Sequence, residues 1–192
     1  QYFEEVDIPF IHKENDYDDF SYQVLMPYKL SDLGPFISQA DVNGDGLDDF
    51  FIGGAKGQAG QIFIQQANGK FSQTSQAALS KDSKFEDMAS VFFDADGDQD
   101  LDLFVVSGGG QVNDKNLQDR LYLNNGKASF LKSNNIPNIN SNGLEVLADD
   151  FDQDGDLNET DPDDDNDGGN DEEDANPFDP NSDSDNDCIT DI

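Results

Sequence analysis

The nonapeptide DADGDQDLD, residues 94–102, carries five aspartates, one at every second position. Carboxylates ~6 Å apart repel by roughly 0.7 kcal/mol per pair in water and by more beside a protein surface. A chain that folds here must offset that repulsion locally. The stretch is not isolated: DVNGDGLDD at 41–49 and DFDQDGDLN at 150–158 share its pattern, with starts at Asp41, Asp94 and Asp150 spaced by 53 and 56 residues.

Material between the acidic stretches repeats as well. FFIGGAKGQAGQIFIQQANGKF follows the first, and LFVVSGGG with DRLYLNNGKASF follows the second. Runs rich in β-branched and aromatic residues predict strands at Phe50–Ile52, Ile62–Gln65, Ala89–Phe93, Leu101–Val106 and Leu121–Leu123. Asn68-Gly69 and Asn125-Gly126 predict tight two-residue hairpin turns with both residues at positive φ. Helical periodicity is confined to a short turn around Ser75–Lys81. The expected class is all-β, and several short strands in a period near 50 residues are the pattern of a β-propeller blade. A closed propeller takes four to eight blades, so about two and a half repeats predict a partial one, either a fragment or a unit that packs on partners or copies of itself.

Charge divides the 192 residues. Of 43 acidic residues, 20 lie between Asp149 and Ile192 with no Lys or Arg, and the last of the 10 basic residues is Lys132. The expected organisation is therefore a repeat domain over 1–148 and an acidic segment over 149–192. A net charge of −33 argues against nucleic acid and anionic membrane as partners, and no apolar run is long enough to insert in a bilayer. It leaves a disordered acidic chain or a folded one neutralised by cations; 15 Phe and 5 Tyr count against uniform disorder. Cys188 is the single cysteine, which excludes an internal disulfide.

The loop pattern D-x-[D/N]-x-D-G-x-x-D has a chemical reading. Short side chains at positions 1, 3, 5 and 9, with a backbone carbonyl at 7, can converge on an ion that takes six to eight oxygens. The first loop offers Asp41, Asn43, Asp45 and Asp49 with the Leu47 carbonyl. The second offers Asp94, Asp96, Asp98 and Asp102 with the Asp100 carbonyl, but Gln99 stands where the turn wants Gly. The third offers Asp150, Asp152, Asp154 and Asn158 with the Asp156 carbonyl. All-oxygen donors favour Ca²⁺ over zinc or copper. The bland alternative is a solvated acidic turn, which three matches at a regular period disfavour.

DVNGDGLDDFFIGGA resembles the FG-GAP repeat of integrin-type propellers, known in bacterial proteins as the VCBS repeat. FEEV, HKEN and QDRLYLNNGKASF resemble bacterial secreted proteins of the ASPIC/UnbV and cartilage-acidic-protein group. The resemblance covers roughly residues 1–158. It implies a propeller-type fold, a secreted or cell-surface location, structural calcium, and adhesion or recognition of an extracellular protein or glycan.

Beyond Asn158 the strand pattern stops while the ligand spacing continues: Asp163, Asp165, Asp167 and Asp171, then Asp183, Asp185, Asp187 and Asp191. DPDDDNDG and DEEDANPFDP resemble the thrombospondin type 3 repeat, which implies an extended, calcium-organised loop segment and about five calcium sites in all. Cys188 stands where the fifth loop wants Gly. A disordered acidic linker is the alternative for this segment.

Nothing in the chain reads as a catalytic centre. Acids sit in repeated loops of one kind rather than as one unique pair, and His12, the one histidine, reads as a surface or packing residue. The expectation is a non-catalytic calcium-binding module, with a structural subunit of an extracellular fibre or surface complex as the alternative and a glycan-active hydrolase or accessory behind both.

Overall fold

The computed structural model describes residues 8–22, 24, 25, 27, 29, 31–109, 114–138 and 141–148. The chain divides into two units, residues 1–93 with 99–146 and residues 94–98 with 147–192, and both sheets lie in the first. The boundary expected at 149 falls outside the described residues.

Each repeat folds as a four-stranded antiparallel meander. The first sheet runs in order β1 (Ile37–Ala40), β2 (Asp49–Ile52), β3 (Gln61–Gln65) and β4 (Phe71–Thr74). A short helix α1 (Ala77–Lys81) leads to the second sheet, of order β5 (Asp87–Phe93), β6 (Asp102–Ser107), β7 (Arg120–Leu123) and β8 (Leu131–Lys132). These are the blade-like units expected of an all-β, partial propeller. The strands not anticipated, β1, β4 and β8, are edge strands whose residues are half-buried or exposed. With one flank unpaired and few buried positions, they tolerate polar composition and carry little apolar signal.

The Asn-Gly turns depart from expectation. Within the two Asn-Gly pairs only Gly69 (φ 77°) and Gly126 (φ 67°) are left-handed, and neither preceding Asn is. Gly69 N–H closes onto the Gln66 carbonyl at 2.7 Å and Gln66 N–H onto that of Lys70 at 2.7 Å. That leaves a three-residue loop with the glycine in a bulge. Asn68 Oδ1 accepts Lys70 N–H (3.0 Å) and Asn125 Oδ1 accepts Lys127 N–H (3.1 Å). These local side-chain bonds account for the asparagines without positive φ.

Alternation along β2 sends Phe51 to one face and Phe50 and Ile52 to the other. Phe51 and its cross-strand partner Ile62 join Leu103, Val105, Tyr122 and Leu79 in the core between the sheets. Burying each such aliphatic or aromatic side chain stabilises the fold by roughly 1.5–3 kcal/mol. Phe50, Ile52 and Phe63 hold the register positions in the first repeat that Leu103, Val105 and Tyr122 hold in the second. In the first repeat, however, Ile8, Phe10 and Phe71 pack on that face. The first strands of the two repeats also meet, Ser38 Oγ lying 2.7 Å from Ser90 Oγ.

A buried polar network fastens the sheets. Arg120 Nη2 donates to Asp87 Oδ1 at 2.6 Å, and Gly54 N–H of the first repeat donates to Asp87 Oδ2 at 2.8 Å. Tyr122 Oη and Lys132 Nζ both donate to Asp82 Oδ2, at 2.8 and 2.7 Å. The Arg120 guanidinium also lies over the Phe85 ring, 4.6 Å from its centroid. Gly54 is required by crowding, since a Cβ there would sit 2.2 Å from the Gln58 carbonyl oxygen. This explains why the strand after the first acidic loop ends in Gly-Gly.

Glu86 ties the N-terminal segment to both repeats: Asn15 Nδ2 donates to its carboxylate at 3.2 Å, and Lys56 of the first repeat donates a backbone N–H. Burial first, and the nearby Glu14 charge second, push its carboxyl up to about 7. The folded value exceeds the ordinary 4.5, so the favourable contribution is complete below pH 4.5 and is lost as pH rises through 7. At ~1.4 kcal/mol per unit this amounts to about 3 kcal/mol. Glu86→Gln should therefore gain stability over the parent progressively from pH 5 to 8, measured by urea unfolding; a pH-independent difference would contradict this account.

Candidate metal centre

The two described acidic loops connect equivalent hairpins, β1 to β2 and β5 to β6. In the first, Asp41 acts as a hub. Its Oδ1 accepts the N–H groups of Asn43 (3.3 Å), Gly44 (2.8 Å) and Asp45 (3.1 Å), and its Oδ2 accepts that of Gly46 (2.6 Å). The slight burial of Asp41 would raise its carboxyl, but these four donors outweigh it and hold the group below the usual carboxylate range. Asn43 Oδ1 accepts Asp45 N–H and Asp45 Oδ1 accepts Leu47 N–H, both at 2.9 Å. The second loop repeats the hub: Asp94 Oδ1 accepts Gly97 N–H (2.9 Å) and Asp98 N–H (3.2 Å).

The ninth position is buried in both loops. Asp49 and Asp102 are 0 % and 1 % exposed. Asp49 Oδ1 accepts Gln65 N–H of β3 at 2.8 Å and its Oδ2 accepts Val42 N–H at 3.2 Å. Asp102 Oδ1 accepts Asn124 N–H, just beyond β7, at 2.7 Å. Each ninth aspartate thus straps its loop to the next strand pair. Burial raises the Asp49 carboxyl, against the two N–H donors, and the Asp45 and Asp41 charges raise it further.

Three carboxylates converge in the second loop: oxygens of Asp94, Asp96 and Asp102 lie within 4.8 Å of one another. Among the described residues this is the one such grouping of three acidic, His or Cys side chains. In the first loop Asn43 holds the third position, so of the expected ligand side chains only Asp41, Asp45 and Asp49 are charged. What burial Asp96 has, with the charges of Asp98 and Asp94, raises its carboxyl, as expected of oxygens crowded without a counter-charge. A hard divalent cation is the group that such all-oxygen donors suit, and it would turn their mutual repulsion into attraction.

Asp98 and Asp100 stand outside the trio. The Asp100 carboxylate packs against the β7–β8 turn, where a Cβ on Gly126 would lie 2.5 Å from its Oδ1. The expected ligands Asp150, Asp152, Asp154, Asp156 and Asn158, and those from Asp163 to Asp191, lie outside the described residues. His12 fits the packing reading: its side chain is 15 % exposed, with Nε2 2.5 Å from Glu14 Oε1.

Two residues not singled out in the sequence prove central to the loops. Val42, 2 % exposed, plants the first loop in the core between the sheets. Its signal was the apolar second position of every acidic stretch, Val42, Ala95 and Phe151. Asn124, in the Asn-Asn-Gly turn, carries no comparable signature.

Gln99 adopts φ 71°, close to the 83° of Gly46 at the matching position. The second loop therefore keeps the turn despite the missing glycine, with a non-glycine residue held left-handed at roughly 1 kcal/mol. Gln99→Gly should raise stability by up to about 1 kcal/mol in urea unfolding at fixed calcium, the larger unfolded-state entropy of glycine offsetting part of the gain. Loss of stability in this variant would contradict the assigned turn.

Comparison with protein families matches the FG-GAP-like repeat twice, at residues 41–105 and 94–158. The first match spans the first acidic loop through the second; the second runs on through the third loop. Among curated proteins no sequence matches the chain significantly. The two matches together span more than half of the chain, and with the paired four-stranded sheets and their acidic hairpin loops they place this protein in the FG-GAP-like repeat family.

Proposed function

We propose that this protein is a non-catalytic, calcium-binding module of the extracellular space or cell surface, serving adhesion or recognition of a protein or glycan ligand, with calcium in a structural role. The observation that carries this reading is the gathering of Asp94, Asp96 and Asp102 at the end of a repeated hairpin in a chain of the FG-GAP-like family. Calcium would bridge carboxylates that otherwise repel and fix the loop ends of each sheet. No helix among the described residues is long and apolar enough to cross a membrane, and extracellular calcium suits loops with dissociation constants of about 10⁻⁴–10⁻³ M. The resemblance to thrombospondin type 3 repeats extends the same role to the acidic segment beyond 158.

A second reading, a subunit of an extracellular fibre or surface complex, draws on the outer face of the first sheet. There Ile8, Ile37, Phe50, Ile52 and Phe71 line a groove of about 300 Å³, with Ile37 62 % exposed.

Calcium titration followed by calorimetry tests the first reading. Melting temperature should climb with calcium, each filled site adding about 2.7 kcal/mol at a hundredfold excess over its dissociation constant. Sedimentation in the same buffer should give a monomer. An unchanged melting temperature in millimolar calcium would overturn the calcium role, and large particles dispersed by EDTA would favour the subunit reading.

A further inference from the structure

Asn124 touches both described loops. Its side-chain Nδ2 donates to the Val42 carbonyl of the first loop at 2.7 Å and to the Leu101 carbonyl of the second at 3.1 Å. Its backbone N–H donates to Asp102, a member of the carboxylate trio. The side-chain Oδ1 is fixed in turn by Asn125 N–H at 2.9 Å. Val42 sits between two ligand positions of its own loop, Asp41 and Asn43, and its carbonyl also accepts Ala128 N–H at 3.3 Å. Asn124 is 7 % exposed, Asp102 1 % and Val42 2 %, so the bonds to Val42 and Asp102 are shielded from water and the one to Leu101 partly so; breaking a shielded bond leaves a desolvated group unmatched.

We infer that Asn124 couples the two loops, so that a cation bound in either one raises the affinity of the other. The inference rests on the calcium reading above. Filling the first loop holds the Val42 peptide still, which fixes the Asn124 amide. Asn124 then fixes the Leu101 peptide and the Asp102 carboxylate before the second ion arrives. The second ion finds less to order and binds more tightly, which is positive coupling through shared ordering. Linkage requires the effect to be reciprocal, and couplings of this type are typically about 5-fold or more.

The test is site-resolved nuclear magnetic resonance on the full chain, titrating calcium and following the Gly46 amide for the first loop and the Gly97 amide for the second. Asp45→Asn weakens the first loop while keeping its acceptor for Leu47 N–H. It should raise the calcium midpoint of Gly97 by about 5-fold or more. Asp96→Asn should shift Gly46 by the same factor. In an Asn124→Ala background both cross-effects should vanish. Should that variant not fold, the reciprocal pair in the parent decides alone. Midpoints that ignore the other loop's substitution, or cross-effects that survive Asn124→Ala, overturn the coupling while leaving calcium binding intact. Neither amide responding to calcium overturns the calcium reading itself.

Discussion

Acidic crowding at the hairpin ends is the constraint around which this fold is arranged. The first and ninth aspartates of each loop turn part of that charge to structural use. Asp41 gathers four backbone N–H groups, and Asp49 and Asp102 lie buried against N–H groups of the following strand pair. These bonds satisfy lone pairs, yet N–H dipoles do not cancel net charge, and oxygens of Asp94, Asp96 and Asp102 still meet within 4.8 Å. A divalent ion is the natural complement to what remains.

The repeat is used asymmetrically. Equivalent faces of the two sheets carry Phe50, Ile52 and Phe63 in one and Leu103, Val105 and Tyr122 in the other. The second packs on its neighbouring sheet and the first on the N-terminal segment. Substitutions between the repeats follow that difference. Tyr122 replaces Phe63 where a hydroxyl can reach Asp82, and Arg120 replaces Gln61 where Asp87 waits to receive it. A buried pair of this type contributes little net stability when intact but is costly to break, so it favours one way of stacking the sheets over others.

Much of this was legible in the sequence. The spacing of Asp41, Asp94 and Asp150 revealed the repeat, and Phe50–Ile52 and Leu101–Val106 announced the central strands because both of their faces are buried. Edge strands such as Ile37–Ala40 escaped, since one side of an edge needs no apolar partner. The turns at Asn68 and Asn125 were misjudged because dipeptide composition does not distinguish a two-residue turn from the three-residue loop with a bulge at Asn68 or from the longer connection between Leu123 and Leu131. The liganding pattern also concealed a division of labour: position nine looked like any other carboxylate, whereas its burial depends on a strand pairing that the loop itself does not encode. Asn124 was invisible for the same reason, its importance arising from a bond to Val42, 82 residues away in the chain.

The most direct measurement is an anomalous difference map from a crystal grown in millimolar calcium. The account predicts a peak among the oxygens of Asp94, Asp96 and Asp102, at about 2.3–2.6 Å from its ligands, and a second in the loop of Asp41, Asn43 and Asp45. Well-ordered loops without a peak at either position would contradict it.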